Sequence, residues 1–96
     1  MAESVFAVQY TYTDDVDRVA TFRPEHRAHL AELHAEGTLL LSGPLSGGPA
    51  ALLVVRAESE EAALAALEGD PFLRERVIVD REAREWTVVI GELPGA

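Results

Sequence analysis

The stretch Ser4-Val-Phe-Ala-Val-Gln-Tyr-Thr-Tyr12 alternates with a period of two, which is the period of a β-strand. Phe6, Val8, Tyr10 and Tyr12 fall on one side, and Val5, Ala7, Gln9 and Thr11 on the other. Neither side is fully polar. A strand of this kind calls for a sheet whose two faces are both at least partly covered, and that requirement constrains everything downstream of it.

Thr13-Asp14-Asp15 ends the strand, and Asp14 to Thr21 reads as a turn or short helix. The first main helix is predicted from about Pro24 to Glu36, with the proline at the first helical position, where its missing N–H costs nothing. Gly37 supplies the C-terminal stop. Thr38 to Ser42 is a short apolar strand, Gly43 to Pro49 a loop by its glycines and prolines, and Ala50 to Ala57 the next strand. Such a loop joins the two as a hairpin. Ser59 caps a second helix, with Glu60 and Glu61 in a first turn that favours negative charge. Ala63, Leu64 and Leu67 form its apolar stripe and Gly69 ends it. Asp70 and Pro71 then read as the cap and first residue of one more short turn of helix. The last strand lies within Val77 to Ile90. Its core is expected at Trp86-Thr-Val-Val-Ile90, with Asp80 to Glu85 as a polar interruption and residues 91–96 as a tail.

The order β-α-β-β-α-β is the split unit of a ferredoxin-like sandwich, an α+β fold in which two helices cover one face of a four-stranded antiparallel sheet. Right-handed crossovers fix its topology. The uncovered face, built from mixed-apolar strands, predicts a homodimer packed sheet to sheet, the arrangement of a dimeric α/β barrel.

Ninety-six residues, 48% hydrophobic and 26% charged, suit one globular domain spanning 1–96. The net charge of -9 argues against a nucleic-acid surface, and the spread glutamates read as solvated faces. Without cysteine there is no disulfide framework and no thiolate metal site. No apolar run reaches membrane-spanning length and no signal-peptide pattern opens the chain, so a cytoplasmic protein is expected.

Within the first helix, His26, His29, Leu30 and Leu33 share a face, so His26 points inward. The predicted topology brings the end of the first strand, the start of the first helix, the glycine loop and the end of the second helix to one end of the sheet. His26 and Asp70, 44 positions apart, therefore meet there, together with Tyr12, Arg23 and Ser42. Glu36, Glu58 and Ser59 fall at the opposite end. A carboxylate beside an imidazole fixes its tautomer and leaves the other nitrogen as a general base. A helix N-terminus adds a preference for the neutral ring. The plainer readings stand beside this one. Asp70 before Pro71 is an ordinary helix cap, and a semi-buried histidine can simply satisfy backbone.

Several segments together resemble the YCII-related (YciI-like) family: Arg23-Pro-Glu-His26, Glu36-Gly37, Leu40-Leu-Ser-Gly-Pro44, Gly69-Asp-Pro-Phe72, Phe6-Ala-Val before Tyr12-Thr-Asp-Asp15, and Trp86-Thr-Val-Val-Ile-Gly91. The resemblance covers residues 5 to 91. It implies a ferredoxin-like fold, usually a dimeric α/β barrel, and an active site on a histidine and an aspartate that match His26 and Asp70. One known kind of member is a dehydrochlorinase that eliminates HCl from a lactone, and the fold resembles that of muconolactone isomerase.

Further candidates carry less. His26-x-x-His29 lacks a third ligand for zinc, so no metal is assigned and His29 is read as packing or a helper. His34 is expected in solvent. Gly47-Gly48 can cradle an anion or simply turn the hairpin. Ser42 and Ser46 can donate hydrogen bonds to a ligand. Arg23 either orients a carboxylate substrate or pairs with Asp14, Asp15 or Asp17. Trp86 reads as core or dimer interface. Two functions remain open. One is a cofactor-free enzyme, an isomerase or lyase acting on a lactone or unsaturated acid through His26 and Asp70, with Arg23, Tyr12, Ser42 or Ser46 holding the substrate. The other is a non-catalytic dimeric module that binds a small polar or anionic ligand in the same pocket.

Overall fold

A computed structural model of the protein describes residues 4–93. Residues 1–3, the opening of the supposed leaderless N-terminus, and 94–96, the last part of the expected tail, lie outside the described residues. The first strand, β1, runs Ser4–Tyr12, the bounds that its alternation predicts. Then follow α1 (Val16–Ala35), β2 (Leu39–Leu45), β3 (Ala50–Ala57), α2 (Glu60–Ala66), the single turn α3 (Pro71–Arg74) and β4 (Ile78–Glu85). The sheet order is β2-β3-β1-β4 with every neighbour antiparallel, the ferredoxin-like arrangement.

One face of the sheet holds the core. Phe6, Val8 and Tyr10 of β1 and Leu53 and Val55 of β3 pack with Val19 and Leu30 of α1, Ala63 of α2, Leu67 at its C-terminal cap, and Phe72 of α3. Burying each large side chain of this set is worth about 1.5–3 kcal/mol. On the other face the register aligns Ala7 with Val54 and Arg84, and Gln9 with Leu52 and Glu82. That face is apolar towards β3 and charged along β4.

Three elements differ from the sequence reading. Pro24 does not begin the helix. α1 starts eight residues earlier, at Val16, where the Asp15 side chain accepts from the Arg18 N–H as N-cap. Pro24 is therefore interior. It and Ala20, whose carbonyl loses its donor, are both exposed, so water can serve that carbonyl and the break usual for an interior proline is avoided. The residues read as a separate turn or short helix, Asp14 to Thr21, largely belong to α1. Gly37 does end it: its φ of 88° and the bonds Gly37 N–H to His34 O and Thr38 N–H to Leu33 O form a Schellman motif. His34 is exposed as expected, and its Nδ1 lies 2.9 Å from the Leu39 carbonyl.

The second correction concerns Gly43, Pro44 and Leu45. They continue β2, pairing with Leu52, Ala51 and Ala50, so the connecting turn shrinks to residues 46–49. The third is larger. β4 is Ile78–Glu85, within the expected Val77 to Ile90 span but built largely on Asp80 to Glu85, the part read as a polar interruption, while Trp86 to Ile90 is not a strand. The register explains it. Glu85 faces Phe6 and the Trp86 N–H reaches Val5 O, so the ladder has by then nearly reached Ser4, the first described residue of β1. Trp86 is not in the core: it is 43% exposed, and Ile90 is 92% exposed.

Candidate functional site

The end of the sheet where β1 finishes and α3 begins carries a cavity of about 670 Å³. α1 forms one wall and the β2–β3 hairpin the other. His26 and Phe72 line it, with Tyr12 at the end of β1.

Each of these side chains is placed by a local device. A bulge between Thr11 and Tyr12 shifts the register against β4, which re-aims a strand end. The turned end is held on both sides, by Tyr12 N–H to Pro49 O at 2.7 Å and Thr13 N–H to Val77 O at 2.7 Å. Asp70 caps α3: its Oδ1 accepts from the Phe72 N–H at 2.9 Å, and Pro71 occupies the first helical position. The same carboxylate meets His26, whose Nδ1 lies 2.8 Å from both Oδ1 and Oδ2. The cap and the imidazole partner, alternatives in the sequence, are one residue in the structure. Asp70 is 0% exposed and His26 7%. The His26 ring stacks on Phe72 at 3.8 Å between centroids and 7° between planes. Tyr12 meets it edge-on at 6.4 Å and 85°.

A carboxylate only accepts hydrogen bonds, so the ring proton sits on Nδ1 and points at Asp70. Nε2 is left without a protein partner among the described residues, on a side chain that borders the cavity. One reason given from sequence for a neutral ring does not survive. His26 lies about three turns inside α1, and a helix dipole acts over the first turn only.

Tyr12 has its hydroxyl pushed up to about 12, first by burial and then by the negative charge of Asp70, with Arg23 and Arg27 opposing. It is thus a neutral donor at physiological pH. Arg23 and Ser42 also line the cavity. Arg23 makes no ion pair with Asp14, Asp15 or Asp17 among the described residues. Ser46 is exposed in the hairpin turn and does not border the cavity. Gly48 does, as part of the plain turn. Arg27 is a lining residue that the sequence reading passed over; its spacing of four from Arg23 was the available signal. His29 lies outside the cavity lining. Its ring fills the space where a side chain on Gly69 would stand, with Cε1 at 3.1 Å from an ideal Cβ there. α2 already ends at Ala66 with Leu67 as its cap, so Gly69 does not terminate it, and any side chain there would press on the His29 ring. Among the described residues, no three His, Asp or Glu side chains gather as metal ligands, and no helix is long and apolar enough to cross a membrane.

A small α+β domain with a buried histidine–carboxylate pair beside a cavity is the class that fold and site define. The YCII-related domain matches residues 5–87, and the chain belongs to that family. The structure is similar to that of 5-chloro-2-hydroxyhydroquinone dehydrochlorinase (TftG) from Burkholderia phenoliruptrix AC1100, solved in complex with 2,5-dihydroxybenzoquinone. The TM-score is 0.74 at 19% identity, covering 86% of this chain and 93% of that one. At that identity the likeness establishes the fold. No curated protein matches the chain.

Proposed function

We propose that the protein is a small-molecule enzyme in which His26 is a general base and Asp70 holds and orients it. The observation that carries this reading is the bond from His26 Nδ1 to a fully buried carboxylate, on a ring that borders a cavity and keeps Nε2 unpartnered. In the reaction, Nε2 takes a proton from a carbon next to a carbonyl. The C–H electrons move into a C=C or enolate bond. They then either return to a proton at another carbon, an isomerisation, or expel chloride with the pair of the C–Cl bond, an elimination. Asp70 stabilises the imidazolium formed in between. Tyr12, Ser42 and Arg23 are the substrate-holding groups of this reading. The family relationship and the dehydrochlorinase of the same fold support a lactone, an unsaturated acid or a related ring as substrate. The apolar part of the open sheet face supports a homodimer packed through that face.

The test is a panel of lactones, chlorinated hydroquinols and unsaturated acids, assayed for product and for deuterium uptake from heavy water, with wild type and His26→Gln. Exchange or turnover lost in the variant by about 10²–10⁴-fold is expected. Turnover that survives unchanged removes His26 as the base. Ligand binding without exchange across the whole panel favours the non-catalytic module.

A further inference from the structure

The chain carries a net charge of -9, and all eight of its basic residues are arginine. Where those arginines go is informative. Arg18 donates to the Glu75 carbonyl, Arg74 reaches Glu25 and Glu75, and Arg81 pairs with Glu68. Arg23, Arg27, Arg76 and Arg84 have no such side-chain partner among the described residues, and of these four Arg23 and Arg27 are the two that border the cavity. They stand one turn apart on α1 and both line the cavity beside His26. Among the described residues neither has an ion pair or hydrogen bond to the protein. Both lie close enough to Tyr12 for their charges to act on its hydroxyl. Asp14 is the exposed carboxylate at the same mouth, and it is not within ion-pair distance of either.

Like charges at positions i and i+4 repel by a few tenths of a kcal/mol. That cost is reversed when an anion bridges the two, because guanidinium forks bind carboxylate and enolate oxygens through paired, charge-assisted hydrogen bonds. The lining also carries Val19 and Leu30 of the same helix, with Leu53 and Phe72 from other elements, so apolar surface lies beside these cations.

We infer that Arg23 and Arg27 form an anion-recognition arm of this cavity, so that its ligand is a small organic acid whose ionised oxygens sit on the guanidiniums and whose carbon skeleton lies over the Phe72–His26 stack. The inference rests on the reading of His26 as the reacting group for the placement of the skeleton, and on the arginines alone for the charge. It makes Arg27 a binding residue alongside Arg23, and it separates ionised substrates from neutral ones of equal shape.

The probe is 2,5-dihydroxybenzoquinone, which is ionised at neutral pH, compared by calorimetry at low salt with its neutral dimethyl ether. Benzoate and maleate extend the comparison to carboxylates. Wild type should bind at least one of the anions more than about tenfold more tightly than the ether. Affinity should fall as salt is raised. Arg27→Gln and Arg23→Gln should each lose about tenfold or more, and Arg27→Lys should keep part of it, retaining charge without the fork. Equal affinity for anion and ether, indifference to both arginine substitutions, or no binding of any anion at millimolar concentration would overturn the inference. Anion binding through the arginines with no turnover of any substrate would uphold it and remove the catalytic reading. Turnover that ignores both arginine variants would do the reverse.

Discussion

Both oxygens of the Asp70 carboxylate lie 2.8 Å from Nδ1 of His26, and one of them also accepts from the Phe72 N–H at 2.9 Å. One turn of helix thus brings the acid partner, the stacking ring and the geometry that holds them into one rigid unit. Both groups are buried, so the pair is shielded from water that would otherwise compete for each bond.

Asp70→Asn separates orientation from folding. Asparagine caps a helix about as well as aspartate, so α3 and the fold should persist by circular dichroism. Its amide can donate to Nδ1, which moves the ring proton to Nε2. Ring-nitrogen chemical shifts should report that change, and turnover should fall about 10²–10⁴-fold. Asp70→Ala loses the cap, worth about 1 kcal/mol, and leaves a buried ring nitrogen unpaired, at a further 1–3 kcal/mol or so. Urea unfolding should rank it clearly below Asp70→Asn.

Tyr12 makes a prediction about alkaline pH. Burial and Asp70 raise its hydroxyl from an ordinary value near 10 to about 12, and Tyr10 is raised as well, for the same two leading reasons. Folding therefore favours the protonated phenols. Their contribution is fully present below the unfolded value and is lost as pH rises from there through the folded value. Denaturation midpoints should drop as pH rises from about 10 to 12, with tyrosinate absorbance appearing alongside unfolding. Tyr12→Phe should make that decline shallower. It should also weaken ligand binding at neutral pH, because a protonated donor is lost from the cavity.

The open sheet face predicts association. Ala7 stands at its centre between Val54 and Arg84. Sedimentation at micromolar concentration should give a dimer for wild type and a monomer for Ala7→Arg, since a charge buried at a sheet-to-sheet interface without a partner costs several kcal/mol. A wild-type monomer would reject the covered-face argument.

Arg76 offers a gain in stability. It follows the cap of α3 with φ of 59°, and the bonds Arg76 N–H to Leu73 O and Val77 N–H to Phe72 O complete a Schellman motif. Glycine is the usual residue at that position because it carries no Cβ penalty. Arg76→Gly should raise unfolding stability by up to about 1 kcal/mol without altering ligand affinity, as measured by urea denaturation and calorimetry.

Local signals were reliable where one residue type had one physical reason to be there. The alternation of β1, the run Ala50 to Ala57, the Ser59 and Asp70 caps and the Gly37 stop all follow from neighbours within a few positions. Pro24 misled because a proline suits a helix start and, on an exposed side, is also tolerated within one. Trp86 to Ile90 misled more deeply. Its β propensity is higher than that of Ile78 to Glu85, yet the latter is the strand. Strand formation needs a partner ladder, and only the register against β1 says where that ladder ends.

The candidate site divides the same way. The order of elements placed His26, Asp70, Tyr12, Arg23 and Ser42 at one end of the sheet, and the cavity there is lined by four of them with Asp70 bonded behind His26. Ser46 fell away because β2 extends through Leu45 and leaves Ser46 exposed at the start of the turn, while Gly48 and Pro49 at its other end border the cavity. Arg27 entered because a wide cavity beside α1 takes in more of the helix than one narrow stripe.

By itself the sequence determined the βαββαβ order, the caps and the placing of His26 and Asp70 at one end of the sheet, since these rest on short-range periodicity and on a topology with few alternatives. Tertiary structure alone decided where β4 lies, that Asp70 is both cap and imidazole partner, that His29 packs against Gly69, and that two arginines face the cavity unpaired. Those depend on distances between segments far apart in the chain, which packing sets and local propensity does not encode.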